Sequence, residues 1–171
     1  MNASDFDRHY VRVLNDLYPN RDAGFAIIMI SMPLLERYIR QKAGIGTSSL
    51  NENFYKDFVR VFPEARDVST AKQLWAAFRH GFLHQGTMSV EASGTILPAA
   101  YLTHDMDAAF RIRHDGSLVL HPVLFSQKTV TEIQNNFSVF SGTAAGAPPL
   151  PEVVRLDPIT IPTAYSGNRQ P

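Results

Sequence analysis

The stretch 24–42 constrains the fold of this chain more than any other part of it. Its first half, Phe25-Ala26-Ile27-Ile28-Met29-Ile30, is apolar on every side of a helical wheel, the pattern of a helix enclosed by other helices. Its second half turns polar. Glu36 stands four residues before Arg40, a favourable helical pair that reads as a surface ion pair. Pro33 has no N–H to give to the helix and predicts a kink. A chain of 171 residues suits one domain wrapped around such a helix.

Helical spacing recurs on both sides. Over 5–17, Tyr10, Val13, Leu14 and Leu17 fall on one stripe, and Pro19 ends the segment. Ser49 and Glu52 have the spacing of a capping box and open a third helix. Phe54, Phe58, Val61 and Phe62 form the buried stripe of that helix, and Pro63 closes it. A fourth helix starts after Asp67 or Ser69 and runs to Gln85, with Gly86 as a left-handed stop. A fifth covers about 126–140, with Val130, Ile133, Phe137 and Phe140 at helical spacing.

Between the last two helices the period changes to that of strands. The runs 109–113 and 117–121 flank Asp115-Gly116, a two-residue hairpin signal, and 95–102 offers a third strand. The expected fold is therefore mainly α: a four- to five-helix bundle with a β-hairpin or small antiparallel sheet inserted at about 87–122. Bundle and insertion form one unit over 1–142. Residues 143–171 hold six of the eleven prolines and no period, so they read as an extended tail.

Composition excludes several chemistries. There is no cysteine, hence no disulfide, Cys-ligated zinc or thiol catalysis. Sixteen basic and sixteen acidic residues cancel, so any nucleic-acid contact must be local. No basic segment leads into an apolar one at the N-terminus, and the run 23–35 is too short to span a bilayer, so a cytoplasmic protein without membrane contact is expected.

The residues with the most chemistry lie at the end of the fourth helix, Phe78-Arg79-His80-Gly81-Phe82-Leu83-His84-Gln85-Gly86. On a wheel, Ala71, Leu74, Trp75, Phe78, Phe82 and Gln85 form the core stripe. Gln73, Ala76, Ala77, His80 and His84 lie opposite, where a solvated face would carry Lys and Glu. Small uncharged residues there point to a second helix packed on this face, from this chain or from a partner subunit, and hence to a homodimer through the fourth helix.

This phrase resembles the motif of the HEPN superfamily, helical-bundle domains of RNase toxins and anti-phage systems. That motif is an Arg, often followed by Asn, Asp or His, and then a His four to six residues after the Arg. Arg79, His80 and His84 match it, and the resemblance covers about 5–142 without the 87–122 insertion. It implies a metal-independent endoribonuclease, dimeric with facing motifs, acting on RNA and having an antitoxin or another protein as possible partner. In that reading Arg79 holds the phosphate and stabilises charge developing on its oxygens, and His84 serves as general base on the ribose 2′-hydroxyl or as acid on the leaving oxygen. His80 orients His84 or contacts a phosphate. Glu36 and Arg40 could line the same cleft, with a surface ion pair the preferred reading. No cofactor and no metal are implied.

Two alternatives stand beside it. One is a non-catalytic HEPN-like module that dimerises and binds a nucleotide, RNA or protein, with Arg79 and His84 tied to protein groups. The other is a metal site built on the helical spacing of His80 and His84, with His104-Asp105-x-Asp107 or His114-Asp115 as further ligands. Ser69-x-x-Lys72 resembles a penicillin-binding motif without its companions, and Ser69 is explained as a helix cap.

Overall fold

A computed structural model describes residues 1–79 and 100–142 in full, and between them the backbone of two short strands at 91–92 and 95–96. The protein is mainly helical with a small sheet, as the periodicities predict. The expectations placed on His80 to Gly86 and on the tail 143–171 lie outside the described residues.

The N-terminal helix forms in two pieces, α1 (Ala3–Phe6) and α2 (Arg12–Leu17), joined by a π-type turn over Asp7–Val11. Asn2 caps it by accepting the Asp5 N–H at 2.9 Å. The wider turn holds an extra residue and so advances the buried face. Leu14 is buried and Phe6, Tyr10 and Val11 pack on the core, but Val13, expected on the inner stripe, is 42% exposed.

The central helix is α3 (Gly24–Ala43), which continues through Pro33. Ile27, Ile28, Leu35, Tyr38 and Ile39 on it are fully buried, each contributing about 1.5–3 kcal/mol. It ends in a Schellman motif: Gly44 turns left-handed at φ 66°, and the Gly44 and Ile45 N–H groups bond the Gln41 and Arg40 carbonyls.

Helix α4 (Glu52–Val61) carries the predicted stripe, with Phe54, Phe58 and Phe62 fully buried. Its cap is Asn51, whose side chain accepts the Phe54 N–H at 3.1 Å, and not Ser49. Likewise Asp67, bonded by the Thr70 N–H at 2.8 Å, caps α5 (Val68–Trp75), so Ser69 lies inside that helix. Residues 76–79 continue α5 in a wider π-type turn.

The insertion is a mixed sheet rather than an antiparallel one. β1 (Glu91–Ala92) and β2 (Thr95–Ile96) pair with each other. β3 (Ala100–Leu102), β4 (Phe110–Ile112) and β5 (Leu118–Leu120) form a second sheet in the order β3-β5-β4, with β3 parallel to β5. The chain passes β3's edge to reach the far side before returning through the middle. The hairpin closes with three residues instead of two. The Arg113 N–H bonds the Ser117 carbonyl and Gly116 adopts φ 81°, so the glycine serves as the left-handed residue of a longer loop.

Phe110 of β4 fixes this sheet to the bundle. Its ring lies 5.1–5.8 Å from those of Phe58, Phe62 and Phe125. The last helix begins earlier than its periodicity indicates, as α6 (Pro122–Asn135), because Pro122 takes the first position and the His121 imidazole caps it. It breaks at Asn136 before α7 (Phe137–Ser141).

Candidate functional site

The core stripe of α5 places Arg79. Ala71, Leu74, Trp75 and Phe78 are buried as the wheel predicts, but Ala77 is buried too, within the main core. The widened turn at 76–79 rotates Ala77 inward, so this chain's own packing covers part of the small-residue face. That part gives no support to a partner subunit.

Beyond Phe78, Arg79 projects toward the polar half of α3. Its Nε donates to Glu36 Oε2 at 3.1 Å, while Arg40 Nε donates to Glu36 Oε1 at 2.8 Å. One carboxylate thus stands between two guanidinium groups. All three side chains are mostly enclosed, at 14%, 20% and 25% exposure for Glu36, Arg40 and Arg79. The pair read as a surface contact is therefore a part-buried cluster with a third member. Arg40 also donates to the Gly46 and Ser48 carbonyls at 3.0 and 2.7 Å, tying the loop after α3 to the cluster.

Tyr55 of α4 completes this corner. Burial first, and then the Glu36 carboxylate, push its hydroxyl above the ordinary tyrosine value, with Arg40 opposing. The Lys72 ammonium lies 5.6 Å from its ring centroid. At Glu36 itself two guanidinium groups meet one carboxylate, a local excess of positive charge that suits an anionic ligand.

The direct Arg79–Glu36 bond is the link that sequence reasoning did not draw, since a surface pair of Glu36 with Arg40 was preferred to a place in the Arg79 cleft. A signal existed. At about 100° per residue, Phe25, Met29, Met32 and Glu36 share one face of α3, and an acid within an apolar stripe needs a partner. His80 and His84 lie outside the described residues, so Arg79 is the motif residue whose surroundings are described.

The other candidate residues are explained locally. Among the described residues no group of three or more His, Asp or Glu is placed to hold a metal ion. Asp105 pairs with Arg21 at 2.6 Å and Asp107 with Arg111 at 2.8 Å, so these two acids engage different partners. Asp115 accepts the Ser117 N–H and hydroxyl in the hairpin loop, and those bonds lower its carboxyl pKa. The His104 and His121 rings meet edge-to-face at 5.3 Å, but His121 Nδ1 is occupied by the Leu124 N–H at 3.2 Å.

A separate open cleft of about 610 Å³ lies between α4, α6 and the loop before β4. Its charged side chains are paired, Lys128 with Glu64, Arg60 with Asp57 and Asp107 with Arg111, while Glu132 accepts the Tyr38 hydroxyl at 2.7 Å. No helix among the described residues is long and apolar enough to cross a membrane. Searches against protein-family models, curated proteins and solved structures find no match for this chain.

Proposed function

We propose that the protein is a HEPN-like, metal-independent endoribonuclease of a cytoplasmic defence or toxin-type system, acting as a dimer. Arg79 holds the scissile phosphate and stabilises the charge developing on its oxygens. His84 takes the proton of the ribose 2′-hydroxyl or returns one to the leaving oxygen, and His80 orients it or contacts a phosphate. The observation that carries this reading is the placement of Arg79. On the last described turn of its helix it stands beside Arg40, so that two guanidinium groups share the one Glu36 carboxylate and leave positive charge for a phosphate. An RNA target and an antitoxin or other protein partner belong to the same proposal.

The test compares wild type with Arg79→Ala and His84→Ala on structured and unstructured RNA in EDTA. His84→Ala should lose the roughly 10²–10⁴-fold of general acid–base catalysis, and Arg79→Ala the roughly 10²–10³-fold of one charge-stabilising donor. Equal cutting by all three proteins overturns the assignment.

One observation favours a second reading. The Arg79–Glu36 bond ties the motif arginine to a protein group, as expected of a non-catalytic HEPN-like module that binds a nucleotide, RNA or protein partner. That reading predicts no cleavage by wild type under any metal condition.

A further inference from the structure

The outer face of the three-stranded sheet lies apart from the Arg79 corner and has its own chemistry. Side chains alternate along a strand, so Ala100, Phe110, Leu118 and Leu120, all buried in the core, define the inner face. The residues between them point outward. The register sets Tyr101, Val119 and Arg111 side by side in one row across β3, β5 and β4. Tyr101 is 44% exposed and the Arg111 side chain is 57% exposed.

Arg113, two residues beyond Arg111 on the same face, brings its guanidinium to 5.5 Å from the Tyr101 ring centroid. These residues stand on the two outer strands. Neighbouring strands are about 4.8 Å apart, so the Arg113 side chain must cross β5 to reach the ring. Val119, between them on β5, is only 3% exposed and belongs to neither core cluster. His114 is exposed beside Arg113 at the hairpin loop.

Two acids stand near these arginines and balance them in number. Asp115 accepts the Ser117 N–H and hydroxyl, and its carboxylate also feels the Arg113 charge. Asp107 meets Arg111 at 2.8 Å, but both side chains are mostly in solvent, where such a pair contributes little. The face thus joins a part-exposed aromatic ring to two exposed guanidinium groups, and the largely solvated Asp107 can yield its place on Arg111 to another anion.

We propose that this face binds a single strand of nucleic acid, with a base stacked on Tyr101 and the adjoining phosphates on Arg111 and Arg113. A base offers a π-face to the open part of the ring, and arginine forks match phosphate oxygens. An acidic peptide would use the arginines but would gain little from the ring. The proposal deepens the ribonuclease reading by naming where the substrate strand is held, and it rests on that reading only for the preference of RNA over DNA.

The test is fluorescence anisotropy on the full chain in EDTA, with a 12-mer of 2′-O-methyl oligouridine, which resists cleavage. A 12-mer of oligothymidine and poly-glutamate serve as comparison arms. Tyr101→Ala should weaken oligouridine binding about 10- to 100-fold and Tyr101→Phe should restore it. Arg111→Gln and Arg113→Gln should each weaken binding and lower the log–log salt slope by about one. Because all three side chains are exposed, melting temperatures should stay close to wild type. Oligothymidine bound with the same dependence on these residues identifies a general single-strand platform, and weaker oligothymidine binding identifies RNA. Variants that bind like wild type, or poly-glutamate competing as well as oligouridine, overturn the proposal. A protein that cuts RNA through Arg79 and His84 but binds independently of Tyr101 overturns the platform alone. One that binds through the platform and never cuts overturns the ribonuclease reading alone.

Discussion

Glu36→Gln tests how the Arg79 corner is held. The substitution keeps the side-chain shape but turns a carboxylate with two acceptor oxygens into an amide with one. Arg40 Nε at 2.8 Å and Arg79 Nε at 3.1 Å then compete for that oxygen, and the amide NH₂ faces a guanidinium. The local charge rises by one unit. A hydrogen bond to a charged group contributes about 1.5–3 kcal/mol, and partial exposure of these side chains moves the expectation to the lower end. At about 2–4 °C per kcal/mol for a chain of this size, the melting temperature should fall by about 3–8 °C. Arg40 keeps its bonds to the Gly46 and Ser48 carbonyls, so the disturbance should fall mainly on Arg79. A double-mutant cycle between Glu36→Gln and Arg79→Gln in urea isolates the contact and should give a coupling of about 1 kcal/mol. A coupling indistinguishable from zero refutes the claim that Glu36 holds Arg79. If Arg79 acts on the phosphate, its displacement by about an ångström should also lower cleavage by up to about 10²-fold.

Two further outcomes follow from buried polar contacts. His121 Nδ1 accepts the Leu124 N–H at the start of α6, which requires a neutral imidazole. Burial first, and then His104, lower its pKa from 6.5, with the His121 and His104 carbonyls and Asp105 opposing. The folded value therefore lies below the unfolded one. The cap's contribution is complete above about pH 6.5 and is lost as pH falls below it, so denaturation midpoints measured from pH 8 to 5 should decline for wild type. His121→Asn keeps a cap without the titration and should flatten that decline, whereas His121→Ala should cost about 0.5–2 kcal/mol at pH 8. Ser126 lies between the Tyr18 hydroxyl at 2.9 Å and the Ser31 hydroxyl at 2.8 Å, and Ser31 also lies 2.6 Å from the Ile27 carbonyl. Ser126→Ala should cost about 1–2 kcal/mol by stranding the Tyr18 hydroxyl, and adding Tyr18→Phe should recover part of it; strictly additive losses in urea would contradict this network.

The chain reveals its fold wherever one period runs undisturbed. The phenylalanine stripe of α4, the core stripe of α5 and the hairpin around Gly116 are legible because local spacing and tertiary burial agree. The π-type turns at Asp7–Val11 and 76–79 are not legible, since an extra residue in a turn has no composition of its own, and each one shifted a predicted face. Val13 moved out and Ala77 moved in. Helix starts were misplaced where two good caps stand close together, Asn51 serving in place of Ser49, and where an unusual residue caps, His121 in place of a later start. β3 was foreseen as a strand but not as the parallel partner of β5, because pairing direction depends on the path of the 103–109 loop. In the candidate site, the sequence singles out Arg79 by its likeness to a motif, but not the carboxylate that holds it. Its tie to Glu36 spans 43 positions of sequence, and only the folded arrangement of α3 and α5 brings the two together.

The chemistry itself offers the most direct measurement. Attack by a ribose 2′-hydroxyl with His84 as base leaves a 2′,3′-cyclic phosphate on one product and a 5′-hydroxyl on the other. Purified wild-type protein, incubated with RNA in excess EDTA, is predicted to release fragments with those ends. No cleavage in EDTA, or fragments with 3′-hydroxyl and 5′-phosphate ends that appear only when a divalent metal is added, would contradict the account.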